Sequence, residues 1–122
     1  MRKEYRLPGR GKFHTVYNQG SPLANRLLAA RVLSNDLPYN RYAFAVGRRL
    51  GGAVVRNRLR RRLKEAMGTM RLSGGWDIIV VARRPALEAS FAQLQEGLAD
   101  IHRRIVRRAA QMVREGDENT ER

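Results

Sequence analysis

Residues 54–66, VVRNRLRRRLKEA, combine an apolar helical pattern with six cationic side chains between Arg56 and Lys64. The apolar residues recur every three or four positions, which gathers them on an arc of about 120° of a helix. The apolar residues of this arc are Val55, Leu59, Leu63 and Ala66, and the pattern continues after the quoted stretch with Met67 and Met70. The pattern predicts a helix that packs on a core through this arc and carries cations around the rest of its circumference, with Arg56 at the border.

Like charges crowd the polar side of this helix. Arg56 and Arg60, for example, are four residues apart, a spacing at which a like-charge pair costs about 0.2–0.5 kcal/mol. Five cation pairs lie three or four residues apart, so the summed cost is about 1–2.5 kcal/mol, against about 5–15 kcal/mol for the total stability of a small domain. A polyanion would neutralise these charges, so we expect the helix to bind nucleic acid.

The overall charge indicates the same class of partner. The chain carries 25 Lys and Arg against 11 Asp and Glu, a formal charge of +14, and its last eight residues, EGDENTER, contain four of the acids. A cationic membrane-surface protein is the competing class, but no apolar run approaches the roughly 18 residues of a membrane-spanning helix. The N-terminus lacks the apolar centre of a secretion signal, which predicts a cytoplasmic protein. The absence of cysteine excludes disulfides and thiolate metal sites.

The chain of 122 residues has the length of one domain, and no internal repeat or linker divides it. Residues 1–9 and 115–122 are polar or charged and lack periodicity, so we expect disordered ends. Residues 12–19 have apolar residues at helical spacing and stop at Gly20, which predicts a short first helix.

The next 30 residues predict strands. Residues 23–33 alternate as a strand, with helix as the alternative, and place Leu28, Ala30 and Val32 on one face and Asn25, Leu27, Ala29 and Arg31 on the other. Residues 42–48 form a second strand after turn-forming residues 35–40, and together the two suggest an antiparallel hairpin. A third strand would require bending or division of these segments.

The second half of the chain predicts a buried strand and a long helix. Residues 76–84, WDIIVVARR, contain four consecutive branched apolar residues, which indicates a central strand buried on both faces. Ser90 and Gln93 have the spacing of a capping box. The helix that follows has an apolar stripe of Phe91, Leu94, Leu98, Ile101, Ile105, Ala109 and Met112, and its opposite face carries Arg103, Arg104, Arg107, Arg108 and Arg114, which we interpret mainly as solvent-exposed.

The sequence shows no clear set of residues with which the protein itself could catalyse a reaction. A metal-dependent nuclease needs several carboxylates that converge on divalent cations, whereas the acids that precede the tail are scattered. His14 and His102 could act as acid and base without metal, but a polar helix face for His14 and an exposed position for His102 are the simpler interpretations. Residues 48–52, RRLGG, lack the Lys-Ser/Thr of a nucleotide-binding loop. We therefore predict no catalytic residue and no metal ligand.

Binding chemistry is better represented. Arginine can donate two hydrogen bonds to a phosphate or stack on a base, and Asn57 can bond a base edge or a sugar hydroxyl. Phe13 and Tyr17 are one helical turn apart and form either a stacking platform for unpaired bases or part of the core of the first helix. The residues alone leave both alternatives open.

Residues 44–61, FAVGRRLGGAVVRNRLRR, resemble the signature of the bacterial ribonuclease P protein component: a strand, a basic pair, a glycine-containing turn, then Ala-Val and Arg-Asn-Arg with further basic residues. Supporting matches are Phe13 with Tyr17, Gly20, Ala24-Asn25-Arg26, and WDIIVVAR-x-P over residues 76–85. The resemblance covers residues 7–110.

The resemblance implies an α+β fold, a two-layer α/β sandwich with a roughly four-stranded mixed sheet, about three helices and an unusual left-handed βαβ crossover. It further implies an auxiliary subunit of ribonuclease P, whose catalytic RNA uses Mg²⁺ to hydrolyse the phosphodiester at the mature 5′ end of precursor tRNA. The protein would bind that RNA and the 5′ leader of the precursor, would bind no cofactor alone, and would need no obligatory protein partner and no membrane.

Carried onto this sequence, the resemblance implies two groups of site residues. The helix facing RNA would use Arg56, Asn57, Arg58, Arg60, Arg61 and Lys64. The leader cleft would use Phe13, Tyr17, Arg31, Arg48 and Arg49, although relatives can carry an aromatic residue at the position of Arg31. Arg62 lies where relatives can carry an apolar residue, which leaves its role open.

Two alternatives to this function remain. A general RNA-binding or ribosomal-type protein would bind RNA without stimulating leader removal. A protein-only nuclease would cleave without an RNA subunit and would lose activity on replacement of His14.

Overall fold

The computed structural model describes residues 5–70 and 72–120. These residues form three α-helices and four strands, in the predicted α+β class. In chain order the elements are α1 (Gly9–Gln19), β1 (Ser21–Ala24), β2 (Leu28–Ser34), β3 (Arg41–Ala45), α2 (Ala53–Gly68), β4 (Trp76–Ala82) and α3 (Phe91–Thr120). Short 3-10 turns at Arg48–Leu50 and Arg84–Leu87 follow β3 and β4.

The four strands make one mixed sheet in the order β1-β2-β4-β3. β4 pairs antiparallel with β2 and parallel with β3. The predicted hairpin between residues 23–33 and 42–48 is therefore wrong, because β4 lies between the two strands. The reason is burial, since Ile78, Ile79 and Val80 of β4 are all at least 98% buried. Consecutive residues of a strand point to opposite faces of the sheet, so such a run is buried most completely when its strand lies in the interior of the sheet. β3, α2 and β4 form a βαβ crossover whose left-handedness stays a prediction.

The third strand arises by division of the segment 23–33. The Asn25 side-chain oxygen accepts hydrogen bonds from the backbone N–H groups of Leu27 and Leu28 at 3.1 and 2.9 Å, which turns the chain between β1 and β2. Leu28, Ala30 and Val32 face the core as predicted. Leu27, expected on the opposite face, is buried in the same core because it belongs to the turn and not to the alternating strand.

Helices α2 and α3 pack together over one face of the sheet. Leu59 and Leu63 from α2 and Leu94 and Leu98 from α3 are buried there against the even-numbered residues of β4. Val55, predicted for the core arc, is 45% exposed, so the first turn of α2 lies outside the core. Met70 follows the end of α2 and packs against the core from there.

The last helix begins as predicted. The Ser90 hydroxyl accepts the N–H of Gln93 at 3.1 Å, and the Gln93 side chain accepts the N–H of Ser90 at 2.8 Å. Gly97 allows close approach to the sheet, since a Cβ there would lie 3.4 Å from a methyl group of Leu28. The side chain of Met112 lies outside the described residues, and α3 extends to Thr120, into the stretch expected to be disordered.

Part of the N-terminal segment, residues 5–7, contacts the sheet and the loop before β3, and the expected disorder of residues 1–9 stays a prediction. Arg6 forms a β-bridge with Tyr42, and the N–H of Leu7 donates to the carbonyl of Tyr42 at 2.9 Å. The Tyr5 and Tyr39 rings lie 5.5 Å apart. Residues 1–4, 121 and 122, also expected to be disordered, lie outside the described residues.

The other face of the sheet is only partly covered. α1 packs against β2 and β4 there, and its Val16 is fully buried, as is Ile79. Further along β4, Val81 and its register neighbours Ala29 and Ala45 remain partly exposed. This leaves an open floor of small side chains beside α1.

Candidate nucleic-acid interface

The polar side of α2 presents the predicted cations to solvent. Asn57, Arg58 and Arg61 are exposed, whereas Arg56, Arg60 and Lys64 are half-buried. Arg56 Nε donates to the carbonyl of Gly51 at 3.1 Å, and Arg60 Nη1 donates to Asn57 Oδ1 at 2.7 Å. These bonds hold two guanidinium groups in fixed positions while leaving most of their donors available.

The charge of α2 has little local compensation. Within the described residues, the ion pairs join Asp77 to Arg41 and Lys12, Glu96 to Arg103, and Asp100 to Arg104, and none involves a cation of α2. The acids in these pairs therefore neutralise no cation of α2. A polyanion is the partner that this surface fits.

Arg62 is the exception among the α2 arginines. Its side chain is half-buried, and Nη2 donates to the carbonyl of Ala89 at 2.8 Å, just before α3 begins. Arg62 therefore ties α2 to the start of α3.

Phe13, Tyr17 and Arg31 form a layered stack on the opposite face of the sheet. The Phe13 and Tyr17 rings are nearly parallel, with centroids 6.3 Å apart. Arg31 Cζ lies 5.3 Å from the Tyr17 ring centroid, a cation–π distance. Tyr17 is 48% exposed while Val16 supplies the core contact of α1, so the geometry favours a stacking surface over core packing for Tyr17.

Arg48 and Arg49 lie apart from this stack. Both are exposed in the turn that follows β3, and Arg84 Nη2 donates to the carbonyl of Arg49 at 3.1 Å. The structure thus joins three of the five expected cleft residues in one cluster. It puts the other two at the sheet edge, before the N-terminus of α2.

Asp77 is a residue that the sequence analysis missed. Its carboxylate is fully buried and accepts two hydrogen bonds from Arg41 at 2.8 Å and one from Asn35 at 2.9 Å, and Lys12 of α1 lies 3.6 Å away. Burial opposes ionisation, but the hydrogen bonds of Arg41 and Asn35 and the charges of Arg41 and Lys12 outweigh it, so the pKa of Asp77 lies below its ordinary value. The sequence did contain a signal for this residue, because Asp77 is an acid within the otherwise apolar strand WDIIVVA.

The Asp77 network holds α1 on the sheet through Lys12. Because Phe13 and Tyr17 belong to the same helix, the buried carboxylate helps to position the aromatic stack.

The two histidines lie on opposite sides of the sheet. His14 is exposed on α1, beside Phe13. His102 on α3 was expected to be exposed and is instead buried, with Nε2 3.3 Å from the carbonyl oxygen of Ser73. Burial lowers the pKa of His102. The two imidazoles cannot act on one substrate atom as an acid–base pair.

The described part of the chain contains neither a cluster of metal-ligating side chains nor a membrane-spanning helix. No three His, Asp or Glu side chains gather there as a metal site. No helix there is both long and apolar enough to cross a membrane.

Comparison with known proteins gives one consistent family. The pattern of the family described as Ribonuclease P matches residues 1–110. The ribonuclease P protein component of Symbiobacterium thermophilum is 41% identical over 119 residues, which cover 95% of this chain and all of that protein.

Solved structures agree with the sequence comparison. The RNase P protein from Thermotoga maritima superposes with a TM-score of 0.75 at 28% identity, covering 81% of this chain and 96% of that one. The Staphylococcus aureus RNase P protein gives a TM-score of 0.69 at 30% identity, covering 84% and 94% of the two chains.

Proposed function

The chain belongs to the family of ribonuclease P protein components, and from that premise we propose that it is the auxiliary subunit that binds the catalytic RNA and the 5′ leader of precursor tRNA. The family places the chain in a ribonucleoprotein of tRNA processing. The roles of its individual residues are our proposal. In this role the protein would assist hydrolysis of the phosphodiester at the mature 5′ end of the tRNA.

The observation that carries this proposal is the pairing of two different RNA-binding surfaces on one small domain. The α2 surface, with Arg56, Asn57, Arg58, Arg60, Arg61 and Lys64, offers charge and guanidinium forks suited to a folded RNA backbone. The stack of Phe13, Tyr17 and Arg31 offers flat faces suited to unpaired bases. The α2 surface would therefore suit the folded RNA subunit, and the aromatic stack would suit the single-stranded leader.

In this proposal the bond-breaking chemistry belongs to the RNA. The residues named for the two surfaces carry guanidinium, ammonium, amide and aromatic groups and no carboxylate, whereas a protein usually holds Mg²⁺ through one or two carboxylates. The residues present therefore do not fit a protein-held Mg²⁺ ion, and we assign the metal requirement to the RNA subunit. The protein would lower the repulsion between two polyanions and hold the leader in place.

Single-turnover cleavage of a 5′-extended precursor tRNA at low Mg²⁺ tests the proposal. The reaction is run with a bacterial ribonuclease P RNA alone, with RNA plus this protein, and with the protein alone. We expect cleavage at the mature 5′ end that requires the RNA and is strongly accelerated by the protein. Binding without acceleration would support a general RNA-binding protein instead, and cleavage by the protein alone would point to His14.

A further inference from the structure

Helix α3 carries a group of arginines on the side that faces away from α2. Two hydrogen bonds identify the sides of the helix: Gln95 Nε2 donates to Thr69 Oγ1 at 2.8 Å, just after the end of α2, and Arg104 Nη1 donates to the carbonyl of Ala24 in β1 at 2.6 Å. Gln95 and Arg104 are about two and a half turns apart, so they lie on opposite sides of α3. The arginines centred on the β1 side, called the α3 strip below, are Arg103, Arg104, Arg107 and Arg108.

Acids neutralise only the first half of the α3 strip. Arg103 pairs with Glu96 at 2.7 Å, and Arg104 lies 3.5 Å from Asp100. Arg107 and Arg108 are exposed, and they take part in none of the ion pairs among the described residues. Each guanidinium has five N–H donors, so these two arginines present a dense set of donors to solvent.

Helix geometry keeps acids away from Arg107 and Arg108. The positions three and four residues from them, where a side chain on the same helix could pair, hold Arg, Ile, Ala, Gln and Met and no acid. The next acid in the chain, Glu115, is seven residues beyond Arg108, which is about 10 Å along the helix axis. Arg103 and Arg104 are the neighbours on the other side, so like charges repel here as they do on α2. A polyanion would relieve this repulsion.

The α3 strip lacks the flat side chains that bind unpaired bases. The other exposed residues around it are Val106, Ala110 and Gln111, whereas proteins that hold single-stranded RNA combine cations with aromatic rings. Base-paired RNA is bound mainly through its phosphates, its sugar hydroxyls and its shape. The composition of the α3 strip therefore fits the backbone of a base-paired RNA segment.

The position of the α3 strip favours the RNA subunit over the substrate. The stack of Phe13, Tyr17 and Arg31 lies on the opposite face of the sheet from α3, and the leader proposed to bind there is covalently continuous with the tRNA. The substrate thus approaches from the α1 side, which leaves the helical side to the RNA subunit. The α2 surface proposed for that RNA belongs to the same layer of helices.

We propose that Arg107 and Arg108, with Arg103 and Arg104 beside them, form a second contact with the RNA subunit, to the phosphates of a base-paired segment. The inference rests on the proposed function and adds a surface on α3 to the one on α2. The RNA subunit then contacts the layer of helices on two sides, at α2 and at the far side of α3.

Binding of the full chain to a bacterial ribonuclease P RNA over a range of salt concentrations tests this contact. The double variant Arg107→Gln/Arg108→Gln should bind about fivefold or more weakly, since each lost charge is solvent-exposed. It should also flatten the slope of log affinity against log salt by about 1.8, which is about 0.9 for each lost phosphate contact. Arg10→Gln is the matched control, because it removes an exposed arginine from α1, on the other face of the sheet.

Gln111 allows a test that keeps every arginine. It is exposed, and it lies four residues from Arg107 and three from Arg108. Gln111→Glu should pair with these arginines and weaken binding of the RNA subunit, whereas Gln111→Lys should strengthen it. Equal affinities of the two variants would show that the charge of the α3 strip does not matter and would overturn the inference.

Substrate binding separates the two possible RNA partners. Holoenzyme assembled at saturating protein is tested with precursor and with mature tRNA, and Arg107→Gln/Arg108→Gln should leave both affinities unchanged. A loss confined to substrate binding, an unchanged affinity for the RNA subunit, or an equal loss in Arg10→Gln would each overturn the inference while leaving the proposed function intact. If the unmodified protein does not bind the RNA subunit at all, the proposed function fails first.

Discussion

Replacement of Asp77 by asparagine should destabilise the protein strongly. The change keeps the shape of the side chain but removes the negative charge, which leaves Arg41, 17% exposed, and Lys12, 35% exposed, without their common partner. Loss of one partner of a buried ion pair costs about 3–5 kcal/mol, and because both cations retain some contact with water we expect the lower end, about 3 kcal/mol. That loss is a large fraction of the stability of a small domain.

Urea unfolding followed by fluorescence measures this effect directly. Trp76 is the single tryptophan of the chain, is partly buried, and is adjacent to Asp77. Glu96→Gln is the matched control, since it makes the same carboxylate-to-amide change in the exposed pair with Arg103 and should cost at most about 1 kcal/mol. Equal losses in the two variants would refute the assignment of Asp77 as the anchor of α1.

The pH dependence gives a second check on Asp77. Because its pKa is lower in the folded state than in the unfolded chain, the carboxylate stabilises the fold fully above the ordinary carboxyl pKa, about 3.9. That stability is lost as the pH falls below this value and through the folded-state pKa. The difference in unfolding free energy between the unmodified protein and Asp77→Asn should therefore be constant near neutrality and shrink in acid; a constant difference down to strong acid would contradict the ion-pair explanation.

The remaining predictions concern RNA binding and the buried histidine. Arg58→Ala should weaken binding of the catalytic RNA and flatten the salt slope by about 0.9 for one lost phosphate contact; filter binding with Arg10→Ala as control checks this, and an unchanged slope would remove Arg58 from the interface. Tyr17→Ala should cost about 1–3 kcal/mol of precursor binding through lost stacking, with no effect on mature tRNA; equal effects on both would argue against a leader contact. His102→Gln should reduce the loss of stability between pH 7 and pH 5, because burial lowers the His102 pKa and the unfolded chain takes up the proton first; urea unfolding at both pH values should show a smaller difference in the variant, and equal losses would contradict it.

Local pattern predicted the elements that depend on short-range spacing. The periodicity of residues 54–70 predicted α2. The buried residues of that helix, Leu59, Leu63, Ala66 and Met67, all belong to the predicted apolar arc. The apolar run of residues 78–81 predicted an interior strand, and the Ser90–Gln93 spacing predicted the start of α3.

Some residues of the candidate site could likewise be predicted from a short stretch of sequence, and others could not. The cations of α2 could be named from one helical segment, and their exposure followed from the arc that the core leaves free. The contact between Arg31 and Tyr17 could not, because these residues belong to different elements and meet only when α1 lies on the sheet.

The sequence by itself determined the helices, the interior strand, the excess positive charge and the family resemblance, because each is expressed within a short window or in the composition. Only the tertiary structure decided which strands pair, how α1 covers the sheet and which arginines share an edge. The physical reason is that strand pairing and ion pairs join residues distant in the chain: Asp77 meets Arg41 and Lys12 only after β4 has entered the sheet between β2 and β3. Periodicity records which side of an element is buried, but not what buries it.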